Sequence, residues 1–237
     1  MQKSLQAQAD LVVLTYACTL PATTSAPGFL IEVTAHFAQR DGTWQRIGLR
    51  ALDTFSPSPM SGFPTWQEYQ TLSPARIALD MGPTLAALWP DMPRETAAHN
   101  LYAILGLKFS DSPRLQNWID ARRSAFDAFK TALLQRRAEN NGRGFALTLR
   151  NDKDTPLGHA MLRLGLQTCI VTRAGTLDPV VMEPDTPEID CSYAHVGGDN
   201  RAGFLWSSTP ERIPRLRLNR VYFLLDLGGG WFAYRET

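Results

Sequence analysis

"SDSPRLQNWIDARRSAFDAFKTALLQRRAENNG" (residues 110–142) is the stretch on which the architecture turns. Pro113, just inside a cap supplied by Asp111 or Ser112, opens a helix, and Asn141-Gly142 closes it. Between them Leu115, Trp118, Ile119, Phe126, Phe129 and Leu133 recur at helical spacing and form one apolar stripe. About thirty residues at about 1.5 Å each predict one helix of roughly 40 Å, enough to cross a whole face of the protein. Such a helix in mid-chain divides the strand-forming sequence into two groups, and that division sets the fold class.

The group before it runs to about residue 55. "LVVLTYACTL" (11–20) and "FLIEVTAHFAQRDGTWQRIGLRAL" (29–52) are apolar, β-branched runs, and the second folds back at Arg40-Asp41-Gly42-Thr43, where Gly42 supplies the positive φ of a short hairpin turn. "SPSPMSGFP" (56–64) then breaks regular structure. Further helices precede the long one. Ser73-Pro74 is a cap followed by a first-turn proline, Gly82-Pro83 is a stop, and Pro93 opens a helix carrying Ala97, Leu101, Ile104 and Leu105, with Gly106 placed to end it.

After residue 143 the pattern returns to strands. "FALTLR" (145–150) comes first. "MLRLGLQTCIVTR" (161–173) alternates Leu162, Leu164, Leu166 and Ile170 on one side, and "NRVYFLLDLGGGWFAYRE" (219–236) reads as a hairpin turning at Gly228 to Gly230. Strands, helices, strands is an α+β order, not the alternation of a doubly wound sheet. The expectation is a single α+β domain over 1–237, with a mixed or antiparallel sheet built from N- and C-terminal strands and a helical insertion at about 65–141.

Twenty-four basic and twenty-three acidic residues nearly cancel, so any electrostatic function needs a local patch. Locally the balance does break. Residues 121–150 hold seven basic against two acidic residues, 178–199 hold six acidic and no basic ones, and 201–220 hold five basic against one acidic. In one reading the acidic, Pro-rich segment lies on the basic helix end and the charges satisfy one another. In the other, Arg122, Arg123, Arg136, Arg137, Arg143, Arg201, Arg215 and Arg217 grip a nucleic-acid backbone. All but four of the basic residues are arginines, whose guanidinium fork suits phosphate.

The cysteines Cys18, Cys169 and Cys191 are odd in number and widely spaced, with no C-x-x-C pair, which suits a reducing compartment rather than a disulfide framework. "MQKSLQAQADLVVLTYACTLP" (1–21) reads as a strand after a short polar lead, too short in its apolar run to cross a bilayer and poor as a signal peptide. A cytoplasmic, bacterial location without membrane attachment follows as an expectation. His36, His99, His159 and His195 stand alone, without metal-ligand spacing, so neither a metal nor a cofactor is expected.

"DCSYAHVGGDNRAGFLWSST" (190–209) holds the remaining candidates. Cys191 and His195 are four apart, which on extended chain separates them by about 13 Å, so a thiol hydrolase or transferase would need Cys191 with a histidine such as His159 through the fold. Gly197, Gly198 and Arg201 could instead lay N–H groups and a guanidinium against a phosphate. This strand-flanked loop, "HVGGDNRAG" (195–203), resembles the Gly-rich loop of the RAMP-type RNA-binding proteins of CRISPR complexes, although it does not reproduce their usual loop pattern. That resemblance implies contact with a guide RNA. The sequence therefore points first to an RNA- or DNA-binding subunit of a larger complex with other protein subunits. A protein-interaction, adaptor or immunity-type module using the acidic 178–199 loop comes second, and the Cys/His enzyme third.

Overall fold

In the computed structural model, which describes residues 2–8, 11–20, 29–52, 66–90, 92–108, 111–173, 187–193, 201–209, 213 and 221–236, the stretch 110–142 is helical but broken. It forms α5 (Ser112–Asp120) and α6 (Arg123–Glu139), separated by a turn at Ala121-Arg122. The six stripe residues are all buried, as their spacing requires. In one straight helix Trp118 and Phe126 would stand about 12 Å apart along the axis; the break brings their rings edge-to-face at 5.5 Å. Ring packing thus outweighs the hydrogen bonds lost at the turn, and no proline or glycine marks the place. The far end follows the sequence: Asn141 and Gly142 take φ of +53° and +73°, and Gly142 N–H donates to the Arg137 carbonyl at 2.9 Å.

The fold is α+β, with two compact units: residues 1–111 with 216–223, and 112–215 with 224–237. In the first, β1 (Gln2–Gln8), β2 (Leu11–Leu20), β3 (Phe29–Arg40) and β4 (Thr43–Leu52) form an antiparallel meander in that order. The polar lead is therefore itself a strand. Asp41 and Gly42 both adopt positive φ, +50° and +74°, the geometry of a tight hairpin turn. Helices α1 (Trp66–Thr71), α2 (Pro74–Asp80), α3 (Gly82–Leu88) and α4 (Arg94–Lys108) complete the unit. Ser73 caps α2 by accepting from Arg76 N–H at 3.2 Å. Gly82-Pro83 ends one helix and starts the next. Gly106 does not end α4, which runs on to Lys108 with Leu105 and Leu107 fully buried on either side of it; tertiary burial outweighs the roughly 1 kcal/mol that a helical glycine costs.

The second unit adds β5 (Phe145–Thr148), α7 (Leu149–Asp152), α8 (Pro156–Leu164), β6 (Thr168–Val171), β7 (Ile189–Ser192), β8 (Arg201–Trp206), residues 224–228 of β9 (Val221–Gly228) and β10 (Trp231–Glu236). The sheet order is β5-β6-β7-β8-β10-β9. The N- and C-terminal strands thus build two sheets, not one shared sheet. "MLRLGLQTCIVTR" is not one strand either. Thr155 caps α8 by accepting from Gly158 N–H at 3.0 Å, Pro156 opens it, and Gly165 at φ +73° ends it, so Leu162 and Leu164 are helical. Ile170, assigned to the same apolar side, is 40% exposed. The break at "SPSPMSGFP" lies outside the described residues.

One sheet face of this unit packs on the helices. Phe204 stacks on Trp118 at 5.6 Å and meets Phe126 edge-on at 5.2 Å, while Trp231 meets Phe126 at 5.1 Å. Gly203 is needed for close approach, since a Cβ there would lie 2.1 Å from the Cys191 carbonyl oxygen.

Candidate functional site

Cys169 and Cys191 sit directly opposite one another on β6 and β7, with Cα atoms 4.1 Å apart, and are joined as a disulfide. This corrects the reading of these cysteines as unpaired thiols. Twenty-two residues of sequence separation conceal a cross-strand pair that only the register reveals. Both sulfurs belong to fully buried residues. His159 lies exposed on α8, and His195 lies outside the described residues. The sulfur that a thiol enzyme would use is therefore already bonded.

The arginines of the first basic block are largely taken up by the fold. The Arg122 guanidinium lies 5.0 Å from the centre of the Trp118 ring, and desolvation lowers its pKa. Arg123 donates to the Gly228 carbonyl at 3.0 Å, to the Leu227 carbonyl, and to Asp120 at 2.9 Å, clamping the β9–β10 turn. Arg136 stacks over Phe145 at 4.8 Å. Arg137 donates to the Thr172 carbonyl at 3.3 Å and pairs with Glu188 at 3.6 Å. Arg143 stands exposed between Gly142 and Gly144.

Glu188 and Asp190, two carboxylates of the acidic segment, turn inward. Glu188 accepts from the Ser208 N–H and hydroxyl, both at 2.6 Å, besides pairing with Arg137. Asp190 pairs with Arg201 at 3.0 Å and accepts from the Tyr234 hydroxyl at 2.6 Å; Glu236, opposite Arg201 in the register, pairs with it at 3.1 Å. Burial alone would lower the Arg201 pKa, but Asp190, Tyr234 and Glu236 together raise it. At Arg137 and Arg201, then, the charge blocks compensate one another within the fold. Gly197, Gly198, Arg215 and Arg217 lie outside the described residues.

A different surface stands open. In the N-terminal sheet, register places Val12, Leu14, Tyr16, Val33, Ala35, Phe37, Trp44, Arg46 and Leu49 on one face. Val13, Thr34 and His36, on the other, are fully buried. The pattern is inverted: the face that mixes Thr34 and His36 with Val13 is covered, whereas on the apolar face Trp44 is 49% and Leu49 62% exposed and most neighbours are half-buried. A β-bulge makes this face. The register of β4 shifts between Arg46 and Gly48, so Trp44, Arg46 and Leu49 point the same way although their spacing would split them in a regular strand. That shift is why period-two reading of "TWQRIGL" misses the surface.

Compared with known proteins, the chain matches no protein-family model, no curated protein and no solved structure. The likeness of residues 195–203 to the RAMP-type loop rests on those residues alone, and 194–200 lie outside the described residues. Among the described residues no helix is long and apolar enough to cross a membrane, and no group of three metal-ligating side chains occurs.

Proposed function

We propose that this protein is an interaction module that self-associates, two copies packing through the apolar face of the N-terminal sheet. The observation behind this is the inverted burial of that sheet. Large apolar side chains left half-exposed on a continuous face mark an association surface. The described part of the face, about six residues on each of β2, β3 and β4 at about 3.3 Å per residue and about 4.8 Å between strands, spans roughly 300 Å² per copy. Arg46 is the sole charged residue among the described side chains of that face, so a second copy meets little like-charge repulsion. A two-fold interface of this kind closes on itself and stops at the dimer.

Sedimentation velocity from about 1 to 100 μM tests the proposal. A dimer that Leu49→Glu with Trp44→Glu converts to monomer, at unchanged circular dichroism, is expected. A monomer throughout, or a double variant that stays dimeric, overturns it.

A nucleic-acid partner is a second reading, favoured by one observation: exposed Arg136, Arg143 and Arg173 lie around the β5–β6 end, where a Cβ on Gly144 would be 2.9 Å from Arg173 N. RNA or DNA binding there should weaken steeply with salt and with Arg143→Ala. As to compartment, the Cys169–Cys191 bond favours an oxidising one over the cytoplasm expected from cysteine spacing.

A further inference from the structure

Helices α3 and α4 border a cavity of about 370 Å³, within the range of small-molecule sites. Its floor is apolar, with Leu85, Trp89, Met92 and Ala97 all buried, while Pro83, Ala86 and Pro90 of its lining are exposed. Arg94, at the start of α4, is the one charged lining residue, and no acidic side chain shares the lining among the described residues. The guanidinium is held in place from two sides. It donates through Nη2 to the Leu79 carbonyl at 3.1 Å, and it lies against Gly82, where a Cβ would come 2.7 Å from Nη2 and 3.2 Å from Cζ. One hydrogen bond among five donors leaves the fork able to take a carboxylate.

We propose that this cavity binds a small apolar monocarboxylate, its hydrocarbon body against Leu85, Trp89 and Met92 and its carboxylate on Arg94. An open cleft with an apolar floor and a single cation in its described lining suits that chemistry. A neutral ligand of the same body forgoes the charge-assisted pair, and a cationic one is repelled. The site is independent of the sheet-mediated association.

Calorimetric titration of the full chain with octanoate, octanol and octylamine distinguishes these cases. Octanoate should bind, octanol at least about tenfold more weakly, and octylamine weaker still, since each tenfold step is about 1.4 kcal/mol. Arg94→Gln should remove the preference for octanoate over octanol. Gly82→Ala provides a second variant with an intact backbone, because Gly82 does not need positive φ and the clash falls on the movable end of Arg94. It too should weaken octanoate and leave octanol unchanged. Equal binding of octanoate and octanol, no octanoate binding up to about 5 mM, or an undiminished preference in both variants overturns the assignment.

Discussion

Reducing the Cys169–Cys191 bond should weaken the second unit by an amount that its loop length sets. The bridge spans a sequence separation of 22 residues. Restoring that loop's freedom to the unfolded chain corresponds to about 3 kcal/mol in the chain-entropy account. Both cysteines are fully buried on facing strands, so reduction removes the cross-link and leaves two thiols whose sulfurs must part within the core. At a urea dependence of about 2 kcal/mol per molar, the unfolding midpoint should fall by roughly 1.5 M on adding reductant. Hydrogen exchange at Thr168–Val171 and Ile189–Ser192 gives a local readout, in which protection should drop with the midpoint. Thiol titration in denaturant should find one reactive cysteine, Cys18, without reductant and three with it. Three thiols before reduction, or a midpoint shift under about 0.3 M, would refute the reasoning.

Removing the buried acceptor by Glu188→Ala should cost roughly 3 kcal/mol, since the largely buried Arg137 loses its counter-charge and the Ser208 N–H its acceptor. Adding Arg137→Met should recover part of that in chemical unfolding, and a loss below about 1 kcal/mol in the single variant would contradict the pairing. At alkaline pH, Tyr193 and Tyr234 are the weak points. Burial raises both pKa values well above the usual one, and Asp190 pushes Tyr234 further. In the unfolded chain both ionise near pH 10, so their stabilisation is complete below about 10 and is lost as pH rises above it. Phenolate absorbance should show these two titrating only as the protein unfolds; reversible titration of all six tyrosines in a folded protein would exclude it.

Local signals carried much of the fold. The Asp41-Gly42 turn, the Ser73 cap, the Asn141-Gly142 stop and the glycine turn before Trp231 sit where their backbone chemistry demands. What the sequence concealed depends on register and packing. The period-two leucines at 162–166 mimic a strand, and their alternation overshadows the Thr155-Pro156 start signal. The break at Ala121-Arg122 arises from aromatic contacts with Phe204 and Trp231, far along the chain. For the site, the charge blocks were visible, and so was the alternative that they pair internally. Which alternative holds at Arg137 and Arg201 is fixed by two carboxylates, the buried Glu188 and the partly buried Asp190, whose inward direction no spacing discloses. The bulge that gathers Trp44, Arg46 and Leu49 likewise leaves no local mark.

The place of β10 in its sheet has a consequence for synthesis. Although nearly last in sequence, β10 lies between β8 and β9, and its Trp231 joins the aromatic core. On the ribosome, the second unit therefore waits with β8 unpaired along one side and Phe126 lacking its Trp231 contact until residues 231–236 emerge. A chain cut short before Trp231 keeps that open edge for good, and it is such products, more than most surface variants, that chaperones and proteases would meet.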